Sequence, residues 1–389
     1  MAKSIPSHAV PAMLKWARER ARMSVEHVAS AEQVDATRLL EWESGKVMIS
    51  YAQLRSLSAR YKFPMHVFYL SEPPKDFAPV RDFRTLPSGH KAEFSPELAL
   101  AIRRAQERQE WIANYIDESQ SSPEKLFKDN PDGLNAGRVA HRIRAALGVT
   151  MQMQEDCRPE QSFSMWRKAV ESLGVFVFQA QGVEVDEMRG CALPHPIAPV
   201  ILVNSKDATT AKVFTLIHEL AHLWLGESAV TAGNPRYHFE IAPEKGTEMF
   251  CNQVAGETLV PERDLLPLIP KNWERRSDET LEKLARLFGV SRAVIAYRLV
   301  DTGQATDEWL SSKMRHLRTP ARESKEGSPP QHTLMLSRFG ERFARLAVAA
   351  LYEGEIHGGS FKSLSEMDIK YLPSLESSLF RSVVVPGKE

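Results

Sequence analysis

Two histidines four residues apart, with a glutamate directly after the first, constrain this chain more than any other feature: His218-Glu219-Leu220-Ala221-His222. On a helix, positions i and i+4 lie on one face a turn apart, so both imidazoles can reach one cation. A carboxylate at i+1 then projects close enough to act on a water held by that cation. The flanking residues predict such a helix over residues 212–225, because Phe214, Ile217, Ala221 and Leu225 form an apolar stripe that turns both imidazoles inward. Gly226 is placed to end it.

Catalytic zinc takes three protein ligands and leaves one position open. The residues that could complete the set downstream are His238, Glu240, Glu244, Glu248, Cys251 and Glu257. Glu248 opens a predicted helix over 248–257 that can run antiparallel to the first, with Asn252 one turn further on the same face. Cys251 reads more simply as a small buried hydrophobe. Tyr237 and His238 fall in a predicted loop, where either could face an oxyanion.

These residues resemble the ImmA/IrrE-type metallopeptidases, whose pattern is H-E-x-x-H, then E-x-x-x-N, then a Leu-x-Pro ending. The chain offers Phe214 to His222, Glu248 with Asn252, and Leu259-Val260-Pro261. The resemblance implies a zincin-like fold, Zn2+ as cofactor, His218, His222 and Glu248 as metal ligands, and Glu219 as the catalytic base. It also implies hydrolysis of a peptide bond in a protein or peptide substrate, such as a repressor or an antitoxin. Arg189-Gly190, after the acidic stretch 184–187, resembles the family's strand-loop ahead of its second strand and is expected to shape an edge of the cleft.

The rest of the chain sets the surroundings. A length of 389 residues suggests two or three domains, and 43% hydrophobic against 26% charged residues argues against general disorder. Three widely spaced cysteines without a C-x-x-C pair point to free thiols in a reducing, cytoplasmic compartment. No apolar run is long enough to cross a membrane, so no membrane partner is expected. Lys and Arg balance Asp and Glu at 50 each, so DNA binding would need a local patch.

Such a patch exists at the N-terminus, where residues 1–70 carry a net charge of +4. Residues 8–72 read as short helices, with Ser24 and Asp35 as caps, Gly45 as a stop and a fourth helix over 51–61 ended by Pro64. Leu14-Lys15-Trp16-Ala17-Arg18 and Trp42-Glu43-Ser44-Gly45 resemble an XRE-type helix-turn-helix. That resemblance implies nucleic-acid contacts from Arg22, Thr37, Arg38 and Lys46. Only Arg38 on the would-be recognition helix is a strong partner for bases, so a homodimer or a protein-interaction bundle are further readings.

Beyond it, 75–150 reads as a helical connector, including an amphipathic helix over 137–147 with His141 and three arginines on its polar side. Residues 151–265 read as the zincin-like metallopeptidase domain, with short strands over 175–178 and 199–203. Residues 266–318 form a helical subdomain with its own helix-turn-helix rhythm, 319–331 a linker, and 332–389 a small helical C-terminal segment. The expected whole is multidomain and mainly α, with an α+β zincin-like core and an N-terminal all-α helix-turn-helix. The function read from it is a zinc-dependent metallopeptidase with a DNA-binding module, in a regulatory role. The alternatives are a transcriptional regulator whose metal site senses or stabilises, and a toxin-antitoxin or defence component.

Overall fold

The computed structural model describes residues 5–74, 81–82, 94–116, 135–225, 229–231, 243–270, 277–317 and 329–380. It is mainly helical with one mixed sheet, and it divides into two compact units: Met1–Pro79 with Leu86–Gln106, and Val80–Thr85 with Glu107–Glu389.

The first unit holds α1 (Pro11–Arg20), α2 (Val25–Glu32), α3 (Ala36–Glu43) and α4 (Tyr51–Tyr61). Their starts follow the caps in the sequence. Ser24 accepts from His27 N, Asp35 from Thr37 N, and Ser50 forms a capping box with Gln53. Gly45, at φ +73°, supplies the left-handed turn after α3, and its Cα lies so near Pro11 that a side chain would press on the ring at 3.0 Å. Met13, Leu14, Leu39, Trp42, Leu54, Leu57 and Phe68 form the core. Beside it Arg18 meets Glu43 through two hydrogen bonds of 2.7 and 3.0 Å, both side chains buried. A buried pair of this kind is held by geometry, since either partner alone would be an uncompensated charge. The helix α5 (Pro96–Tyr115) contributes Arg103, which donates to the Lys62 carbonyl at the end of α4 and lies over the Phe63 ring.

The second unit is built on five strands in the order β1-β5-β3-β4-β2: β1 (Arg81–Asp82), β2 (Phe176–Ala180), β3 (Gly190–Leu193), β4 (Val200–Asn204) and β5 (Ala229–Thr231). β2 runs parallel to β4, β3 antiparallel to both β4 and β5, and β1 parallel to β5. The two strands expected from sequence are β2 and β4; β1, β3 and β5 add to them. Their helices are α6 (Ala136–Leu147), α7 (Met151–Asp156), α8 (Ser162–Ser172), α9 (Thr209–Leu225), α10 (Pro243–Leu259) and α11 (Glu262–Leu265), then α12 (Asp278–Phe288), α13 (Arg292–Asp301) and α14 (Asp307–Leu317). One hydrophobic cluster runs from Val139 to Leu317 through all these layers. α9 lies on β3 and β4 and packs against α8 and α10.

Two arrangements differ from expectation. Arg144 is not on the polar side of α6; it is buried, donating to the Thr258 carbonyl at 2.6 Å and to Gln154 at 2.6 Å, because α6 lies against the end of α10. In the C-terminal stretch the one helix that the sequence pattern predicts, Arg338 to Tyr352, is longer and is joined by two more among the described residues: α15 (Gln331–Tyr352), α16 (Gly358–Ser365) and α17 (Leu372–Phe380). α15 is kinked at Gly340, at φ +80° and ψ 168°. The break frees carbonyls of Leu336 and Ser337, which accept from buried Arg167 at 3.2 and 2.6 Å, while Glu171 accepts from Arg342 N. No helix among the described residues is long and apolar enough to cross a membrane. The expected linker over 319–331 lies almost wholly outside the described residues.

Candidate metal centre

α9 carries the histidine pair at its middle, where every residue from Thr215 to Trp224 is buried. Ile217 and Ala221 are fully enclosed, and Phe214 and Leu225 border the core. The expected stop at Gly226 lies outside the described residues. α10 begins five residues before Glu248, so Glu248 sits inside the helix rather than opening it. This places its side chain opposite α9, with Asn252 a turn further on.

There the three expected ligands meet. His222 Nε2 lies 3.0 Å from Glu248 Oε1, His218 Nε2 lies 3.3 Å from Glu248 Oε2, and the two Nε2 atoms are 3.0 Å apart. One ligand atom from each residue falls within 4.8 Å of the others. Both histidines are buried and Glu248 is largely so. Four electronegative atoms so close, out of water, can be held together by shared protons or by a cation.

The proton affinities of the group follow from the same charges. Burial lowers the affinity of His218 for a proton, but the charge and hydrogen bond of Glu248, with Glu219 and Asn252 behind them, outweigh it and raise its pKa. Burial raises that of Glu248, yet the two imidazoles bring it well below the ordinary carboxylate range. Two imidazole nitrogens with one carboxylate oxygen are a donor set that could hold a metal and is suited to zinc.

Glu219, next to His218 in sequence, has its carboxylate close to the sheet. Its side chain is completely buried between α9 and β3, next to the backbone of Gly190 and to Thr215 one turn earlier. Its charge still reaches His218, and it adds to the burial that drives the Cys191 thiol upward. Gly190 was visible in the sequence as part of a loop; its structural place is the first residue of a central strand, against the expected base.

Among the described residues, the other third-ligand candidates, Cys251 and Glu257, are not in the group. Cys251 is a buried thiol in the hydrophobic cluster, and Glu257 pairs with Arg298. Tyr237, His238, Glu240 and the side chain of Glu244 lie outside the described residues. In α13, Val294, Ile295, Arg298 and Leu299 are buried, and Arg298 donates to the Val260 carbonyl at 3.0 Å. This second helix-turn-helix rhythm therefore packs against the end of α10.

The four expected nucleic-acid contacts are in the first unit. Thr37 and Arg38 are exposed in the first turn of α3, Arg22 follows α1, and Lys46 lies in the turn after α3. Arg38 pairs with Glu41 at 3.0 Å. Arg18 and Arg60, counted in the basic patch, are paired with Glu43 and Glu32.

No curated protein matches the chain. Residues 170–300, the stretch that holds β2 to β5, the histidine helix, Glu248 and α13, match the model of the Peptidase_M78 family, the IrrE N-terminal-like domain, and so point to a metallopeptidase-type domain.

Proposed function

We propose that this protein is a zinc-dependent metallopeptidase carrying an N-terminal helix-turn-helix module, and that it acts on a regulatory protein partner such as a repressor or an antitoxin. The observation that carries the reading is the meeting of His218, His222 and Glu248 beside a completely buried Glu219. A site that only stabilised the fold would close its coordination with a fourth protein ligand and would have no use for a buried acid next to it.

His218, His222 and Glu248 would hold the ion. With one carboxylate in the set, the site keeps a formal charge of about +1, enough to remain a Lewis acid. Zinc bound there supplies polarisation of a peptide carbonyl and lowers the pKa of water toward about 7. Glu219 takes the proton from the attacking water and passes it to the leaving amine. The enclosure of Glu219 strengthens that exchange, since few waters compete for the carboxylate.

The N-terminal unit fits the role of a specificity module, reading either DNA through Arg22, Thr37, Arg38 and Lys46 or a protein partner. The Arg38–Glu41 pair weakens the case for base reading by Arg38. The remaining assignments are a cytoplasmic protein, a connector over 75–150, a catalytic domain over 151–265, a helical subdomain over 266–318 and a C-terminal segment over 332–389.

The purified full chain should hold about one zinc, as a single three-ligand site requires. A Glu219→Gln protein should keep that zinc and lose peptidase activity by about 10²-fold or more, because the carboxylate serves as base. Used as bait, it should retain a partner that the unmutated protein cleaves. A chain that binds no zinc, or two proteins that cut the captured partner equally fast, would sink the reading.

A further inference from the structure

We infer that Gly190 is a positioning residue for the proposed base, Glu219: the missing side chain at the start of β3 is what gives the carboxylate its place. The inference rests on the metallopeptidase reading and adds a residue to it.

The geometry is close. A Cβ built on Gly190 would lie 2.5 Å from Glu219 Oε1, 2.8 Å from Glu219 Cγ and 2.5 Å from Thr215 Cγ2. Real Cβ atoms do not approach others to such distances, so something would have to move. Gly190 is not among the glycines with positive φ, so its backbone does not call for glycine. Glycine inside a strand weakens it, and where it occurs without a turn it marks a close approach by another group. Here that group is a carboxylate.

The backbone cannot make the room. β3 is paired on both sides, with Gly190 opposite Val203 of β4 and Thr231 of β5. The approach to the strand is pinned by Asn204, which is completely buried. Its backbone N donates to the Arg189 carbonyl at 2.8 Å, and its Nδ2 donates to the carbonyls of Met188 at 2.7 Å and Val183 at 3.2 Å. Thr215 is anchored in α9. Thr215 can turn its methyl about χ1, but that relieves only its own contact, and the contacts with Glu219 are relieved only if Glu219 moves. Both its Cγ and its carboxylate are in the way, so turning the carboxylate alone is not enough. Gly190→Ala would therefore swing Glu219 off its floor, toward the histidine cluster or away from it.

Cobalt(II) loaded into the full chain reports this without a substrate, because its visible bands follow coordination number and the groups around the ion. Four proteins are compared: the parent, Gly190→Ala, Glu219→Ala and the double variant. Gly190→Ala should bind one cobalt per chain and show visible bands altered in position or intensity. In the Glu219→Ala background the same substitution should change the bands far less, because only the contact with Thr215 remains. On the partner captured in the previous experiment, Gly190→Ala should lose about 10²-fold in rate, the size expected for a misplaced catalytic group.

If Gly190→Ala fails to fold, the series is repeated in a Thr215→Ala background, which removes the second collision. A spectrum unchanged by Gly190→Ala while Glu219→Ala alters it would overturn the inference and leave the metallopeptidase reading intact. An equal change with and without Glu219 would also overturn it, since the effect would then be structural. A parent chain that takes up no cobalt or zinc would be a failure of the underlying reading instead.

Discussion

Arg144 donates to the carbonyl oxygen of Thr258 across 2.6 Å inside the core, and so ties α6 to the last turn of the helix that carries Glu248. The last carbonyls of a helix have no partner within it, and a buried guanidinium satisfies one while offsetting the negative end of the dipole. Arg144 also orders Gln154, which donates to the carbonyls of Leu259 and Phe288 at 3.0 and 2.9 Å. Arg144→Ala should cost about 2–4 kcal/mol, because it strands two buried acceptors at once. Chemical denaturation followed by tryptophan fluorescence would measure this; a cost below about 0.5 kcal/mol, as for an ordinary surface site, would show that the network is not holding α10.

The three-ligand geometry makes a separate prediction about selectivity among the acids and thiols of α10. Glu248→Ala should reduce zinc affinity by more than the roughly 10- to 100-fold that loss of an outer-shell partner costs. Cys251→Ala should leave zinc content unchanged, since Cys251 sits in the hydrophobic cluster and is not part of the ligand group. Metal analysis after dialysis against a graded chelator decides between them. Undiminished binding by the Glu248 variant would transfer the third position to His238.

A pH effect is expected from the loop between β3 and β4. His195 Nδ1 accepts from the backbone N–H groups of Ile197 at 3.2 Å and Ala198 at 3.1 Å, which requires the nitrogen to be unprotonated. Burial lowers its pKa in the folded state. The unfolded chain therefore takes up a proton more readily, so stability is full above about pH 6.5 and declines as pH falls through the folded value. His195→Asn keeps an acceptor without a titration and should flatten this part of the profile. Thermal melts between about pH 5 and 8 would test it, and parallel curves for the two proteins would refute it.

Gly340 is expected to be intolerant of any side chain. Its φ of +80° is costly for other residues, and a Cβ would overlap the Glu171 carboxylate, which is paired with Arg167 at 2.9 Å. Gly340→Ala should lose about 3 kcal/mol or more by strain and by disruption of a buried pair. Ala at Gly354, where φ is +79° but nothing lies within 4 Å, should cost less. Equal denaturation midpoints for the two variants would contradict the role given to the Glu171 contact.

Much of this is legible in the sequence itself, and the reasons differ by element. The histidine helix declares itself because chemistry and packing share one period: the ligands fall at i and i+4 while Ile217 and Ala221 fill the core. Helix starts at Ser24 and Asp35 follow from local capping, which depends on a few neighbouring residues. β3 was not legible as a strand, since Gly190-Cys191-Ala192-Leu193 is four residues long, buried throughout and without alternation. Arg144 was misplaced because periodicity assigns a charged residue to the outside unless a distant carbonyl claims it. The third ligand lay between these cases: spacing alone left six residues open, and only the folding of α10 against α9 brings Glu248 to the imidazoles.

The sheet order also sets a timetable for synthesis. β2, β3 and β4 leave the ribosome in one short stretch and can pair as soon as they emerge. β1 is made long before them, yet its neighbour β5 follows α9. The strand nearest the N-terminus must therefore wait, unpaired, until the histidine helix has been translated. The β1 edge of the sheet can be closed only once α9, with Glu219, has already been made, although β1 itself was made first.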